Sequence, residues 1–200
     1  MTDSYIRDYL GEADEIIKAL DVEAIQAIID LIVEIRGRGG RLFFLGVGGG
    51  AANASHAVND FRKIAGVESY TPLDNVSELT ARVNDQGWET SLVGWLQTSR
   101  LGPQDGVFVF SVGGGDKERN ISVNIVGALD YAKSVKAKIM GIVGRDGGYT
   151  AKVADAVVIV PRVTPETVTP HAESFQSVIW HLIVTHPRVK LNPMKWESAK

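Results

Sequence analysis

Two pairs of metal-capable residues lie at helical spacing in this sequence. His56 and Asp60 are four residues apart, and Glu173 and His181 are eight apart. Residues four apart on a helix project from one face, and eight residues make slightly more than two turns, so each pair shares a face. Imidazole and carboxylate groups are ligands of Zn²⁺, which commonly takes four N and O ligands. The spacing therefore offers a metal site, although a lone histidine on an apolar helix is more often a core residue.

Composition narrows the possible chemistry and location. The chain has no cysteine, so a metal would have to be held by His, Asp, Glu or Gln. Its net charge of −3 predicts neither nucleic-acid binding nor attraction to an anionic membrane. Apolar runs such as 153–160 are too short to span a bilayer, and the acidic first twenty residues are unlike a signal peptide. We expect a cytoplasmic protein that binds neither nucleic acid nor membrane.

The elements that would position these residues alternate along the chain. Apolar periodicity predicts a helical hairpin over 3–38, and continuous Val/Ile/Phe/Leu runs predict buried parallel strands. The expected fold class is α/β: a three-layer sandwich with a central, mainly parallel sheet flanked by helices. We expect a single domain, 1–200, with the hairpin, an α/β core over 41–186 and an irregular tail over 187–200. Strands are predicted at 41–45, 69–73, 106–111, 138–143 and 156–160, and core helices at 51–65, 76–83, 121–135 and 172–185.

Glycine-rich turns follow two of the predicted strands, at Gly46–Ala51 and at Gly113–Gly115. Such turns let backbone N–H groups approach an anion at a helix N-terminus, and ligands of parallel sheets bind beyond the carboxyl ends of the strands. The first turn also fits G-x-G-x-x-A, with Glu68 22 residues after Gly46, so a dinucleotide site is an alternative. Two helices before the first strand and a second glycine turn disfavour it. Tight turns without a ligand are the simplest alternative.

The motifs together resemble a known family. The segments GVGGGAANASH, NDQGWE, FVFSVGGG, NISVN and TPHAESFQSVIWHLI follow the helical hairpin in the order seen in the SIS (sugar isomerase) family. Within that family, the chain is most similar to sedoheptulose 7-phosphate isomerases, also called phosphoheptose isomerases, from about residue 5 to His186. The resemblance implies aldose–ketose isomerisation of a phosphorylated sugar, a divalent metal with zinc expected, and a homo-oligomer, either dimer or tetramer.

Four residues correspond to the family's metal and acid/base positions. The resemblance implies that His56, Asp60, Glu173 and His181 hold the metal, with Asp60 as the base and His181 as the partner acid/base of enediol chemistry. Asp60 stands where the family has Glu, and Glu173 where it has Gln. Asp is one methylene shorter than Glu, and a misplacement of roughly 1 Å can cost about 10²-fold in rate.

The resemblance also implies a set of sugar-binding residues. Asp85 in the Asn-Asp-x-Gly segment belongs to it, although a turn residue is an equally good interpretation. The phosphate-binding hydroxyls of the family are mostly absent, since Gly50 replaces a serine and the second turn carries about six extra residues. Lys117 and Arg119 could replace them by charge, or could simply be solvated. The implied set is Gly48, Gly49, Gly50, Asn53, Asp85, Ser111, Gly113, Gly114, Ser122 and Glu173.

Two functional hypotheses follow from the resemblance. The first is an aldose–ketose isomerase acting on a phosphorylated seven-carbon or similar sugar, and the altered phosphate-binding residues predict a changed substrate. The second is a non-catalytic SIS module that binds a sugar phosphate or a protein partner, which the near-retention of the acid/base residues disfavours. The Ile-rich stripe over 16–35 would suit packing against a partner subunit, and a buried helix pair would produce the same pattern.

Overall fold

The structure, a computed structural model, describes residues 2–199 of the chain, with side chains from Ser4 onward. Its α-helices are α1 Thr2–Ala19, α2 Val22–Gly37, α3 Gly49–Lys63, α4 Val76–Gln86, α5 Ser91–Thr98, α6 Val123–Ser134, α7 Gly148–Val153, α8 Val168–Thr185 and α9 Lys195–Ser198. A 3₁₀ helix covers Trp88–Thr90. The strands are β1 Leu42–Gly46, β2 Ser69–Tyr70, β3 Gly106–Ser111, β4 Lys138–Val143 and β5 Ala156–Ile159.

The five strands form one sheet in the order β2-β1-β3-β4-β5, and every pair is parallel. Each strand is connected to the next by a crossover containing a helix, which parallel pairing requires. The direction of winding reverses between β1 and β3, the strands that carry the two glycine turns. Such a switch point opens a crevice at the carboxyl ends of the strands, where ligands bind in sheets of this kind.

Helices cover both faces of the sheet, so the predicted three-layer α/β sandwich is confirmed. One face packs against α2, α3 and α8 through a core that includes Phe44, Phe108 and Trp180. The other face packs against α5 and α6, with Phe43 and Leu129 among its buried residues. β1 and β3 are buried along their whole length, which explains why they could be recognised as continuous apolar runs.

The Ile-rich stripe of the hairpin belongs to the core of this chain. Ile16 and five isoleucines of α2 are buried, and α2 packs against β5 and α8. Of the two interpretations of this stripe, the structure supports the buried helix pair. Large apolar side chains are exposed instead on α1, at Tyr5, Ile6, Leu10 and Ile17.

Several elements differ from their predicted limits for local reasons. α8 begins at Val168, before Pro170, because proline is tolerated in the first turn of a helix. α4 continues to Gln86 and ends at Gly87, whose φ of 87° stops it. The helices of residues 88–98, α7 and α9 lie in segments for which no helix was predicted. They are short, so their apolar periodicity is weak.

One polar cluster anchors α1 to the start of α8. The Glu12 carboxylate accepts hydrogen bonds from the hydroxyls of Thr164 and Thr167 and lies 2.9 Å from Nε2 of His171. The buried His171 ring also stacks on Tyr9, with ring centroids 4.3 Å apart. The hydrogen bond from Thr167, above all, lowers the pKa of Glu12 below its ordinary value of 4.5.

We predict that this cluster makes stability depend on acid pH. Because the folded-state pKa of Glu12 is lowered, its stabilisation is complete above 4.5 and is lost as the pH falls through the folded value. Glu12→Gln should lower the melting temperature at pH 7, and its deficit relative to the wild type should shrink in acid. Parallel melting curves across pH 3–7 for both proteins, with a constant difference, would contradict the prediction.

Within the described part of the chain, no helix is long and apolar enough to cross a membrane. The cytoplasmic location stays a prediction.

Candidate active site

The α3–α8 contact brings the two predicted residue pairs together. Small residues on α3, Ala54 and Ala57, are buried, which lets the two helices approach closely. The Asn53 amide then donates to the backbone oxygen of Glu173 at 2.9 Å and to Oε1 of Gln176 at 3.1 Å. Asn53, predicted to bind sugar, is thus engaged in joining the helices.

Three of the predicted metal ligands converge across this contact. Oδ2 of Asp60 lies 3.8 Å from Nε2 of His56 and 3.8 Å from Nε2 of His181. One ligand atom from each of the three residues lies within 4.8 Å of the others. Asp60 is largely buried, whereas the two histidine side chains are 56% and 42% exposed, so the group is open to solvent. We call these three residues the His-Asp-His group.

Neighbouring atoms orient the members of the His-Asp-His group. Nδ1 of His181 lies 2.7 Å from the backbone oxygen of Ser177, so this nitrogen carries the proton that the carbonyl accepts. Nε2 of His181 is then the nitrogen free to bind a metal or a proton. Asn59 donates to Oδ1 of Asp60 at 2.8 Å, which leaves Oδ2 facing the histidines. Partners of this kind fix ring orientation in metal sites.

Trp180 packs against both histidines of the group, and it was not identified as a site residue from the sequence. Its buried ring stacks on His181, with centroids 3.5 Å apart, and meets the edge of His56 at 4.8 Å. The indole therefore restricts the positions of both imidazoles. Its position next to His181 in the sequence was the signal that could have identified it.

Glu173, the fourth predicted ligand, is not a member of the group. Residues eight apart share a helix face but are separated by about 12 Å along the axis. The carboxyl group of Glu173 instead packs against Gly49 at the start of α3, where a Cβ on that glycine would overlap it. Of the four expected ligands, three therefore lie together in the structure, and Glu173 lies beside the first glycine turn.

The glycine turns lie at the carboxyl ends of β1 and β3, as predicted, and the strand order makes this the switch point of the sheet. Gly48, exposed and with a φ of 59°, precedes α3, and Gly49 is its first residue. In the second turn, Oγ of Ser111 accepts a hydrogen bond from the backbone N–H of Gly114 at 3.1 Å. Ser111 is therefore used to shape the turn, and Gly113 is only partly exposed.

Gly50 explains why the family's serine is absent from the first turn. A Cβ at this buried position would overlap the backbone oxygen of Phe110 on β3. We predict that Gly50→Ser destabilises the protein by about 1–3 kcal/mol, the usual cost of overpacking. Urea unfolding would measure this loss, with Ala52→Ser on the exposed face of α3 as the control. Equal stability of the two variants would contradict the prediction.

The structure does not bring the remaining predicted sugar-binding residues to the His-Asp-His group. Asp85 lies on the exposed surface of α4, which packs against α5 and the 3₁₀ helix, so it is a helical residue and not part of a turn. Ser122 lies at the N-cap of α6 with a φ of 49° and makes no side-chain capping bond.

The two loop cations are paired within the protein. Nζ of Lys117 lies 2.6 Å from Asp130, and this hydrogen bond raises the pKa of Lys117. Nε of Arg119 lies 3.7 Å from Asp116. Both cations are exposed, so the pairing does not exclude contact with a ligand.

Glu68 does not occupy the place that a dinucleotide site requires. It comes immediately before β2, at the edge of the parallel sheet opposite to the glycine turns. The acidic residue that binds a nucleotide ribose has to lie on the side of those turns. The dinucleotide alternative loses its main support.

Known proteins share this fold, and some are similar in sequence at modest identity. No family model matches the chain. A probable phosphoheptose isomerase from Thermoplasma volcanium is 30% identical over 162 residues, covering 78% of each chain. The lincomycin biosynthesis protein LmbN from Streptomyces lincolnensis is 28% identical over 194 residues, covering 92% of this chain and 69% of that protein. The structure of phosphoheptose isomerase from Neisseria gonorrhoeae superposes with a TM-score of 0.78 at 21% identity, covering 92% of this chain and 97% of that one.

The parallel sheet with helices on both faces, and with two glycine turns at its switch point, has the SIS fold. The chain belongs to the phosphoheptose isomerase family, whose members are sugar-phosphate isomerases. The modest identity makes it a divergent member, as its altered glycine turns predicted.

Proposed function

We propose that this protein interconverts the aldose and ketose forms of a phosphorylated sugar, with a divalent metal, zinc being expected, at the His-Asp-His group. The observation that carries the proposal is the convergence of His56, Asp60 and His181 from two helices. The family's acid/base positions fall on two of these residues. A protein that only bound a sugar phosphate would not need them, so the non-catalytic alternative is less well supported.

The His-Asp-His group fits a catalytic metal. Two imidazole nitrogens and one carboxylate oxygen form a set of three protein ligands, which is typical of catalytic zinc sites that keep a fourth position for water or substrate. The exposure of the two histidines leaves room for that fourth ligand. A bound divalent cation would supply electrostatic stabilisation of negative charge on the sugar's carbonyl oxygen.

The chain's own residues would move the protons. Asp60 would accept the proton from the carbon next to the carbonyl, giving an enediol, and His181 would return or relay a proton on the adjacent carbon. Because Oδ2 of Asp60 and Nε2 of His181 are also the atoms that would hold the metal, each would carry a proton only while it is not bound to the metal. The hydrogen bond to Ser177 keeps Nε2 of His181 free for this role. Glu173 and the first glycine turn would hold the hydroxyl groups of the sugar.

The experiment that tests the proposal is an isomerisation assay on a panel of phosphorylated sugars that includes sedoheptulose 7-phosphate. Turnover should disappear after treatment with a chelator and return when Zn²⁺ is added. Absence of turnover across the panel, in protein that contains metal, would overturn the proposal. Turnover unaffected by the chelator would remove the metal from it.

We also propose that residues 1–200 form one domain that assembles as a homo-oligomer. Ile6, Leu10 and Ile17 lie four and seven residues apart on α1 and are 54%, 63% and 58% exposed, so they form one apolar stripe. A second copy could cover this stripe by symmetric pairing.

Leu10→Glu should therefore reduce the oligomeric mass measured by light scattering after size-exclusion chromatography, because it places a charge in the centre of the stripe. Leu191→Glu replaces an equally exposed leucine, 62%, on the C-terminal segment and is the control. A monomeric wild-type protein, or an unchanged mass in Leu10→Glu, would contradict the proposal.

A further inference from the structure

A cavity of about 470 Å³ opens beside the second glycine turn. One wall is the segment that follows β3, residues 113–121, and the other is the connection from β4 to α7 and α7 itself, residues 145–152. Because β3 and β4 are parallel neighbours, both walls lie at the carboxyl edge of the sheet. The volume lies within the range of about 300–1,000 Å³ that is usual for small-ligand sites.

The two walls are held together by backbone hydrogen bonds. The Gly114 oxygen accepts from the backbone N–H of Thr150 at 2.9 Å and from its hydroxyl at 2.8 Å. The Gly115 oxygen accepts from the N–H of Tyr149 at 2.7 Å. A Cβ on Gly148 would overlap the Gly113 oxygen, so the two backbones are in direct contact. The cavity is therefore formed before any ligand arrives.

Two cations of the cavity are free to meet an external anion. Four cationic side chains line the cavity. Of these, Lys117 is paired with Asp130 and Arg119 with Asp116. Among the described residues, no carboxylate lies within ion-pair distance of Arg145 or Lys152, and both residues are exposed. The stem of Arg145 runs along the second turn, 3.8 Å from a Cβ placed on Gly113.

Two of the three acids that line the cavity are hydrogen-bonded to the local backbone, and neither forms an ion pair with Arg145 or Lys152. Oδ1 of Asp116 accepts the backbone N–H groups of Glu118 and Arg119 at 2.9 and 3.0 Å, and these bonds lower the pKa of Asp116. Oδ1 of Asp146 accepts the N–H of Gly148 at 3.2 Å. Both carboxylates therefore accept hydrogen bonds from the local backbone. The third acidic residue that lines the cavity is Glu118.

We propose that this cavity is a phosphate-binding site in which Arg145 and Lys152 make the charged contacts. Arginine offers a planar fork of donors that matches phosphate oxygens, and lysine adds a compact positive charge. Both residues follow β4, whereas the hydroxyls implied by the family resemblance follow β1 and β3, so the charged contacts would come from the next strand along the sheet. The phosphate belongs either to the sugar substrate or to a separate phosphorylated ligand, and only the first case rests on the proposed function.

Titration of inorganic phosphate into the protein, followed by calorimetry, tests the proposal. The test variant combines Arg145→Asn with Lys152→Gln, since asparagine tolerates the φ of 53° at position 145. Loss of these charged contacts should weaken phosphate binding about tenfold or more. Arg162→Gln removes an exposed cation outside the cavity and should bind as the wild type does. Melting curves confirm that the variants are folded, and Lys152→Gln alone provides a milder substitution.

No saturable binding of millimolar phosphate to the wild type, or equal affinity in the wild type and the double variant, would overturn the proposal. A second measurement identifies the carrier of the phosphate. A raised KM for a phosphorylated sugar with kcat retained assigns the site to the substrate. An unchanged KM together with weakened phosphate binding assigns it to a separate ligand. If no sugar is turned over, the proposed function fails while the phosphate titration still decides this inference.

Discussion

Replacing His181 with alanine should reduce isomerisation by about 10²–10⁴-fold, the usual contribution of a positioned acid/base group. Nε2 of His181 faces Asp60, and its other nitrogen is held by the Ser177 carbonyl, so Nε2 is the nitrogen available for proton transfer. The fold should persist, because the His181 side chain is 42% exposed. Steady-state rates and melting temperatures would be measured on the same preparations.

His186→Ala is the matched control for this substitution. His186 lies at the end of the same helix, where its Nδ1 accepts the backbone N–H of Arg188 at 3.3 Å, and it is outside the His-Asp-His group. Its loss should leave turnover within a factor of about two, since surface changes away from a site usually have small effects. Equal activity of wild type and His181→Ala would remove His181 from the mechanism.

Asp60→Asn should weaken metal binding and sharply reduce turnover. The amide keeps the shape of the side chain but removes the negative charge that faces two imidazoles and the oxygen that would accept a proton. We expect turnover to fall by about 10²-fold or more, as for other losses of a general base. Metal content, measured by mass spectrometry after dialysis, should fall below stoichiometric amounts.

Glu173→Gln makes the same change of charge and is the informative comparison. Because the Glu173 carboxyl group packs against Gly49, outside the His-Asp-His group, this variant should keep its metal. Loss of metal from Glu173→Gln, at a level similar to Asp60→Asn, would show that Glu173 is a ligand and that the three-residue site is incomplete.

Much of the fold could be predicted because the buried strands carry an unambiguous pattern. The predicted limits of β3 and β4 coincide with those observed, since both strands are apolar apart from one terminal residue each and are followed by glycine-containing segments. β2 was harder to place, because only Ser69–Tyr70 pair with β1. Helix α7, with six residues, is too short to show a period.

The candidate site was predictable in its composition but not in its dimensions. Helical spacing identified which residues share a face, and the family resemblance suggested that His56, Asp60 and His181 converge. Spacing within one helix does not show which of its residues lie level with the residues of the neighbouring helix. Glu173 was therefore grouped with the other three, although it lies about two turns away from His181. Arg145 and Lys152 could not be linked to the second glycine turn, because their cavity depends on contact between two distant connections.

The most direct test of the proposed chemistry is turnover of a phosphorylated sugar in D₂O, followed by NMR of the product. Proton abstraction by Asp60 through an enediol predicts that deuterium from the solvent enters the product at the carbon next to the carbonyl. Neither product nor deuterium exchange should be seen with Asp60→Asn. Product formed by the wild type without deuterium, or deuterated product formed equally fast by Asp60→Asn, would contradict the assignment of acid/base chemistry to the His-Asp-His group.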